Sequence, residues 1–236
     1  MQELLQGAAA IGLYVIPTAG VMLVARWLLK VPDEMFRKIL HFILLGAYIP
    51  FLFAFETWWI STAFAAILVV LLYPILTLAG HIPAFSFFVN ERKQGEFKYS
   101  MVLALSMMIV CICVCWGWMG DKYLVLASTY AWGVGDAFAA LVGKRFGKHN
   151  IRLKFADHHK SVEGSAAMFL TSALAVIVVM LIRGGGLSFA SCLVISLAAA
   201  AVSTLVELCT NNGFDTVTCP TAAMIVILPL VQLLGG

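Results

Sequence analysis

The sequence predicts an all-α, polytopic integral membrane protein with about eight transmembrane helices. Three observations carry this prediction: 62% of the 236 residues are hydrophobic, only 11% are charged, and the mean hydropathy is +0.99. Apolar runs near ~20 residues match the thickness of a bilayer, and helices satisfy their own backbone groups in hydrocarbon. The composition leaves no room for a soluble domain, so residues 1–236 are expected to form a single membrane-embedded domain.

The first apolar segment runs from about Leu4 to Leu29. It is too long and too lightly flanked by positive charge for a cleavable signal, and it lacks the Arg/Ser-rich character of a transit peptide. Pro32 marks a stop after it, and Asp33 is a candidate helix cap. The second segment covers Ile39 to Phe55. Glu56 and Thr57 turn the chain into a third, Trp58 to Gly80, whose two leading tryptophans suit an interfacial belt. A polar, partly amphipathic stretch from His81 to Tyr99 leads to segments four, Ser100 to Met119, and five, Lys122 to Gly143. Beyond a basic loop lie segments six, Ser161 to Ile182, seven, Leu187 to Cys209, and eight, Cys219 to Leu234. The six cysteines all lie in or at the ends of apolar runs, as small packing residues do.

Charge supplies an independent test of this division. With the amino terminus outside, the connectors 1–2, 3–4, 5–6 and 7–8 and their flanking helix ends hold every Lys and Arg except Lys122 and Arg183. The positive-inside bias therefore orients those connectors to the cytoplasm. The same ends gather Glu91, Glu96, Asp157, Glu163, Glu207 and Asp215, so chemistry is expected on the cytoplasmic side of a bacterial inner membrane or an endomembrane such as the endoplasmic reticulum.

Residues 135–220 form the expected nucleotide- and metal-binding core. Asp136 lies fourteen residues into segment five, where an ionisable group is expensive unless it faces a polar cavity or a partner. Ala140, Gly143 and Gly147 follow it on about the same face, a stripe that admits either a ligand or another helix. Ser161 is placed to cap segment six, presenting the amides of Val162, Glu163 and Gly164 where a helix dipole favours phosphate. Lys160 adds a point charge. Glu163, paired with Asp136, is a candidate metal ligand, because Mg²⁺ takes one or two carboxylates plus phosphate oxygens; in a first turn it also suits the dipole without any function. Lys144, Arg145 and Lys148 begin a basic loop that suits nucleotide phosphates or anionic headgroups. The pair His158 and His159 completes no zinc spacing. Asn211 and Asn212 precede Asp215 in a run that is also good turn chemistry. Arg37 and His41, four apart, share a helix face with Lys38 nearby, a group that suits phosphate or snorkelling cations.

Asp136-x-x-Ala139-x-x-x-Gly143-x-x-x-Gly147, followed by Lys160-Ser161-x-Glu163-Gly164, resembles the signature of the membrane-embedded polyprenol kinase family, which includes phytol kinase, dolichol kinase and the CTP-dependent diacylglycerol kinases. Arg37-Lys38-x-x-His41, Glu91-Arg92-x-x-Gly95-Glu96 and Asp215-x-x-Thr218-x-Pro220 resemble further marks of that family, so the likeness spans Arg37 to Pro220. It implies transfer of the γ-phosphate of CTP, with Mg²⁺ as cofactor, to the hydroxyl of a lipid alcohol such as phytol, a polyprenol or dolichol, or diacylglycerol. Phosphoryl transfer needs positioning and charge neutralisation above all. On this reading Asp136 and Asp215 hold Mg²⁺ or orient the hydroxyl, Glu163 supports the metal, and His41 is a candidate base. Lys160, Ser161, Gly143, Lys144, Gly147, Gly164, Arg37, Lys38 and Asn212 bind nucleotide or phosphate, with Glu91, Arg92, Glu96, Glu207 and Thr218 as further candidates. The expected partners are nucleotide, lipid alcohol and membrane lipids, and no nucleic acid. Phosphatidate cytidylyltransferase is similar through the same stretch and stands as the alternative, although this chain ends in NNGFDTVTCP and one more apolar segment rather than that family's late carboxylate- and Gly-rich signature. A non-catalytic lipid binder or transporter is the second alternative, against which the sequence carries no repeated half.

Overall fold

A computed structural model describes residues 2–29, 31–82, 95–151, 160–210 and 213–235 of the chain. Among them the protein is helical throughout, with one isolated bridge between Asn150 and Ser161 and no strand. Eight helices are long and apolar enough to cross a membrane. The chain divides into two compact units, Met1–Cys113 and Val114–Gly236.

The first unit holds α1 (Gln2–Leu29), α2 (Asp33–Phe53), α3 (Trp58–Ala79) and α4 (Glu96–Cys111). Helices α1 and α2 pack as one pair and α3 and α4 as another. The Glu3 carboxylate accepts from the amides of Glu56 and Thr57 at 2.6 and 2.8 Å, which ties the start of α1 to the turn before α3. Phe51, Phe55 and Phe64 stack beside this turn with ring centroids 5.4 to 6.0 Å apart, a spacing that suits tilted aromatic contacts. A π-helical segment, Ile112–Trp118, continues α4 to complete its span, and the unit boundary falls inside it.

Asp33 does not cap α2. The cap position is Pro32, with no side-chain hydrogen bond, and Asp33 is the first helical residue, bound to Arg26 at 3.1 Å. A carboxylate in a first turn complements the dipole, and the cation closing α1 gives it a better partner than a cap would. α2 therefore begins six residues before the hydropathy signal does, and Arg37, Lys38 and His41 lie within its first turns.

The second unit is an antiparallel arrangement of α5 (Lys122–Phe146), α6 (Val162–Arg183), α7 (Phe189–Cys209) and α8 (Asp215–Leu233). α5 is the most enclosed of the eight spans, packing chiefly on α6 and α8. Small residues make this possible: a side chain at Gly135 would collide with Ser172 and Met168 of α6, and the Ser172 hydroxyl donates to the Ala131 carbonyl at 2.5 Å. Asp121 fastens the far end of the unit. It caps α5 through the Tyr123 amide at 2.8 Å and pairs with Arg183, at the end of α6, at 2.5 Å. All six cysteines are free thiols, and four of them are buried.

α8 also starts four residues earlier than the apolar run. Asp215 and Thr218 are thus in its first turn rather than in a connector before it, and Pro220 lies inside the helix. Gly213, at φ 78°, supplies the left-handed residue that turns the chain into it.

Candidate site at the cationic end of the second unit

In the second unit the end of α5 and the starts of α6 and α8 meet the end of α7, and this end carries Lys144, Arg145 and Lys148, all exposed. The approach of α5 to α6 is close. A Cβ on Gly164 would sit 2.9 Å from the Ala139 carbonyl and 3.3 Å from the Gly143 Cα, and one on Gly147 would sit 2.8 Å from the Ser161 hydroxyl. The small-residue stripe is therefore filled at Gly143 and Gly147 by α6 itself, which is helix packing of the small-xxx-small kind.

Ser161 caps α6 as its sequence context predicts, its Oγ accepting from the Gly164 amide at 3.1 Å. The neighbouring amides are also engaged. Val162 donates to the His149 carbonyl at 2.9 Å, and the Glu163 amide is turned to its own carboxylate. Glu163 further accepts from the His149 ring at 2.7 Å and from the His149 amide at 3.3 Å. Together with the Ile151 amide on the Lys160 carbonyl at 2.8 Å, these contacts clamp the two ends of the basic loop. Glu163 acts here as a loop anchor, and the α6 amides are spent on capping and on the clamp.

Lys160 reaches the end of α7. Its ammonium lies 3.0 Å from the Glu207 carboxylate, donates to the Thr210 carbonyl at 2.8 Å and also to the Glu207 carbonyl. Both side chains of this pair are largely enclosed, at 16% and 12% exposure. A cation on the last carbonyls of a helix is favourable to its dipole. The Thr210 and Thr218 hydroxyls, 3.1 Å apart, extend the connection to α8.

Asp136 of α5, Glu207 of α7 and Asp215 of α8 belong to three helices that pack on one another in this unit. Cys219 is buried on α8, its thiol donating to the Ser203 carbonyl at 3.6 Å. The contact of Cys219 with Ser203, which joins α8 to α7, was not foreseen. Their signal in the sequence was only that of small apolar-run residues. Among the described residues no set of three or more His, Cys, Asp and Glu is close enough to enclose a metal ion.

In the first unit Arg37 and Glu96 face each other at 4.0 Å, joining the first turns of α2 and α4. Lys38 is buried, at 8% exposure, rather than snorkelling at a helix end, and the half-buried His41 ring meets Phe42 edge-on. Glu91, Arg92, Asn211 and Asn212, with Asp157, His158 and His159, lie outside the described residues.

No protein-family model, no curated protein and no solved structure matches the chain.

Proposed function

We propose that the chain is a membrane-embedded lipid kinase that transfers the γ-phosphate of CTP, or of another nucleoside triphosphate, to the hydroxyl of a lipid alcohol at the cytoplasmic surface of its membrane. The observation that carries this reading is that α5, α7 and α8, which bear Asp136, Glu207 and Asp215, pack on one another, with the Lys160–Glu207 pair and the Thr210–Thr218 contact at the end of the unit that also carries Lys144, Arg145 and Lys148. Acidic groups beside a cationic rim are what a reaction between a metal-bound triphosphate and an uncharged hydroxyl requires.

Asp215 and Asp136 are the residues that would hold Mg²⁺, which when bound neutralises charge on the phosphate oxygens. The exposed cations of the loop draw the triphosphate to this end. The hydroxyl oxygen then forms its bond to the γ-phosphorus as the bond from that phosphorus to the bridging oxygen breaks. CDP leaves, and the Asp136 carboxylate takes the hydroxyl proton. Lys160 is a positioning residue in this scheme, since it holds Glu207 and the end of α7 rather than the phosphate.

The test is a product assay on purified protein with Mg²⁺, phytol, polyprenols, diacylglycerol and phosphatidate, and CTP labelled at the α or the γ position. Label from the γ position in a lipid monophosphate is expected, and Asp136→Asn is expected to lower it at least a hundredfold while the protein stays folded. α-label in a CDP-lipid would establish the cytidylyltransferase instead. Transfer of neither label, with ATP also tried, would sink the catalytic reading.

A further inference from the structure

α5 is enclosed along most of its length and reaches the surface only near its cationic end. From Lys122 to Ala137 every position is buried or half-buried, and the exposed positions of the helix are Phe138, Lys144, Arg145 and Phe146. Phe138 and Arg145, seven residues apart, share one face, with the half-buried Leu141 and Val142 between them. Two other cations of this unit are spent inside the protein, Lys160 on Glu207 and Arg183 on Asp121. Among the described residues Arg145 and Lys148 have no carboxylate partner. The Arg145 guanidinium instead lies over the Phe146 ring, 5.4 Å from its centroid, a stacking that leaves its N–H edge open to an acceptor.

We infer that this face of α5, together with Lys148, is a site for an anionic phospholipid, with the phosphate on Arg145 and Lys148 and an acyl chain along Phe138. The proportions fit. For a helix close to the bilayer normal, Phe138 lies roughly 10 Å deeper than Arg145 at 1.5 Å per residue, and the headgroup layer on each side of a bilayer is only about 5–8 Å thick. With the guanidinium at the level of the phosphates, the Phe138 ring is therefore among acyl chains. Phe146, at 57% exposure, sets further apolar surface beside the cations. Lys and Arg at a membrane surface attract acidic headgroups, and a guanidinium takes two phosphate oxygens at once. A zwitterionic lipid brings a cation of its own to the same place. A soluble phosphate would satisfy the cations but leave the apolar half of the face uncovered. The lipid is a partner and not the phosphate acceptor, so the inference does not rest on the kinase reading.

The experiment places the full chain in nanodiscs of phosphatidylcholine with a minor fraction of phosphatidylglycerol, brominates the acyl chains of one lipid at a time, and uses Phe138→Trp as the reporter. Quenching gained over the parent protein measures which lipid lies against position 138. After correction for mole fraction, phosphatidylglycerol is expected to be preferred at least fivefold, since each surface cation contributes on the order of fivefold. Arg145→Gln with Lys148→Gln should bring the preference within twofold, and Arg145→Lys should keep most of it. Lys122→Gln, which removes a charge at the other end of α5, should leave it unchanged, and millimolar inorganic phosphate or CTP should not displace the lipid. Equal quenching by the two lipids, or a preference that survives the double variant, would overturn the inference. So would a preference that falls as far in Lys122→Gln, which would make it an effect of net charge, and so would displacement by inorganic phosphate, which would make the cations a soluble-phosphate site. If Phe138→Trp does not fold, native mass spectrometry of the parent decides the same question: retention of phosphatidylglycerol over phosphatidylcholine, lost in the double variant, is expected, and equal retention of the two lipids overturns the site.

Discussion

At the scale of single residues, side chains that read as chemistry in the sequence are found holding the fold. Glu163 and Lys160 were both legible as chemistry from their spacing, yet their contacts lie within the protein: Glu163 on the His149 end of the loop, Lys160 on Glu207 and the last carbonyls of α7. Asp136 lies within α5, the most enclosed of the spans, where an ionisable group is expensive without a polar partner. Sequence spacing reports that a charge is present at a helix end but not which neighbour takes it, because the partner of Lys160, Glu207, is 47 residues away. A prediction follows for the Lys160 and Glu207 pair. Removing one member of an enclosed ion pair leaves the other charge without compensation, whereas removing both is often tolerated. Lys160→Met should therefore destabilise the protein by about 3 kcal/mol, and the double variant with Glu207→Gln should recover much of that loss. Thermal melting in detergent checks it, and strictly additive losses in the cycle would show that the two side chains act independently.

At the scale of elements, the boundaries that hydropathy misplaced are those where a polar residue belongs to a helix. α2 and α8 begin with Asp33 and Asp215, whose charge suits a first turn but reads as loop in an apolar-run count. Where the helix start carries its own chemistry the reading succeeds, as at Ser161, which caps α6 at the expected place. The glycine ladder was legible as a place of close approach, and the occupant of that approach was not. The occupant is α6, which comes near enough to α5 that Gly164 has main-chain atoms of Ala139 and Gly143 where a side chain would go. Neither neighbour is the yielding end of a flexible side chain. Gly164→Ala should accordingly separate the helices slightly and destabilise by about 1–3 kcal/mol. By contrast, Ala166→Leu on the exposed face of the same helix should be neutral within about 0.5 kcal/mol. Equal melting temperatures for the two variants would refute the tight approach.

At the scale of the whole molecule, composition determines the class, while the division into two compact units is carried by tertiary contacts that no composition reveals. Within the second unit the helix ends sort as an up-and-down topology demands. Lys160 meets the end of α7, and Arg183 meets the start of α5 at the opposite end, beside which the Gln232 amide of α8 reaches Met119. The cations of the loop after α5 therefore share one end of the unit, and Leu234 sits at the other. Moving several cationic side chains across a bilayer during insertion is far less favourable than moving the sparsely charged end, so the end bearing Lys148 is expected to face the cytoplasm. Exposed cysteines placed at Lys148 and at Leu234, in a background with the native cysteines replaced, convert this into a labelling pattern. In intact bacterial spheroplasts a membrane-impermeant maleimide should react with the cysteine at 234 and reach the one at 148 only after permeabilisation. The reverse pattern would turn the protein over, put Asp136, Glu207 and Asp215 on the side without nucleotides, and remove the physical basis for a nucleotide-dependent reaction at this end.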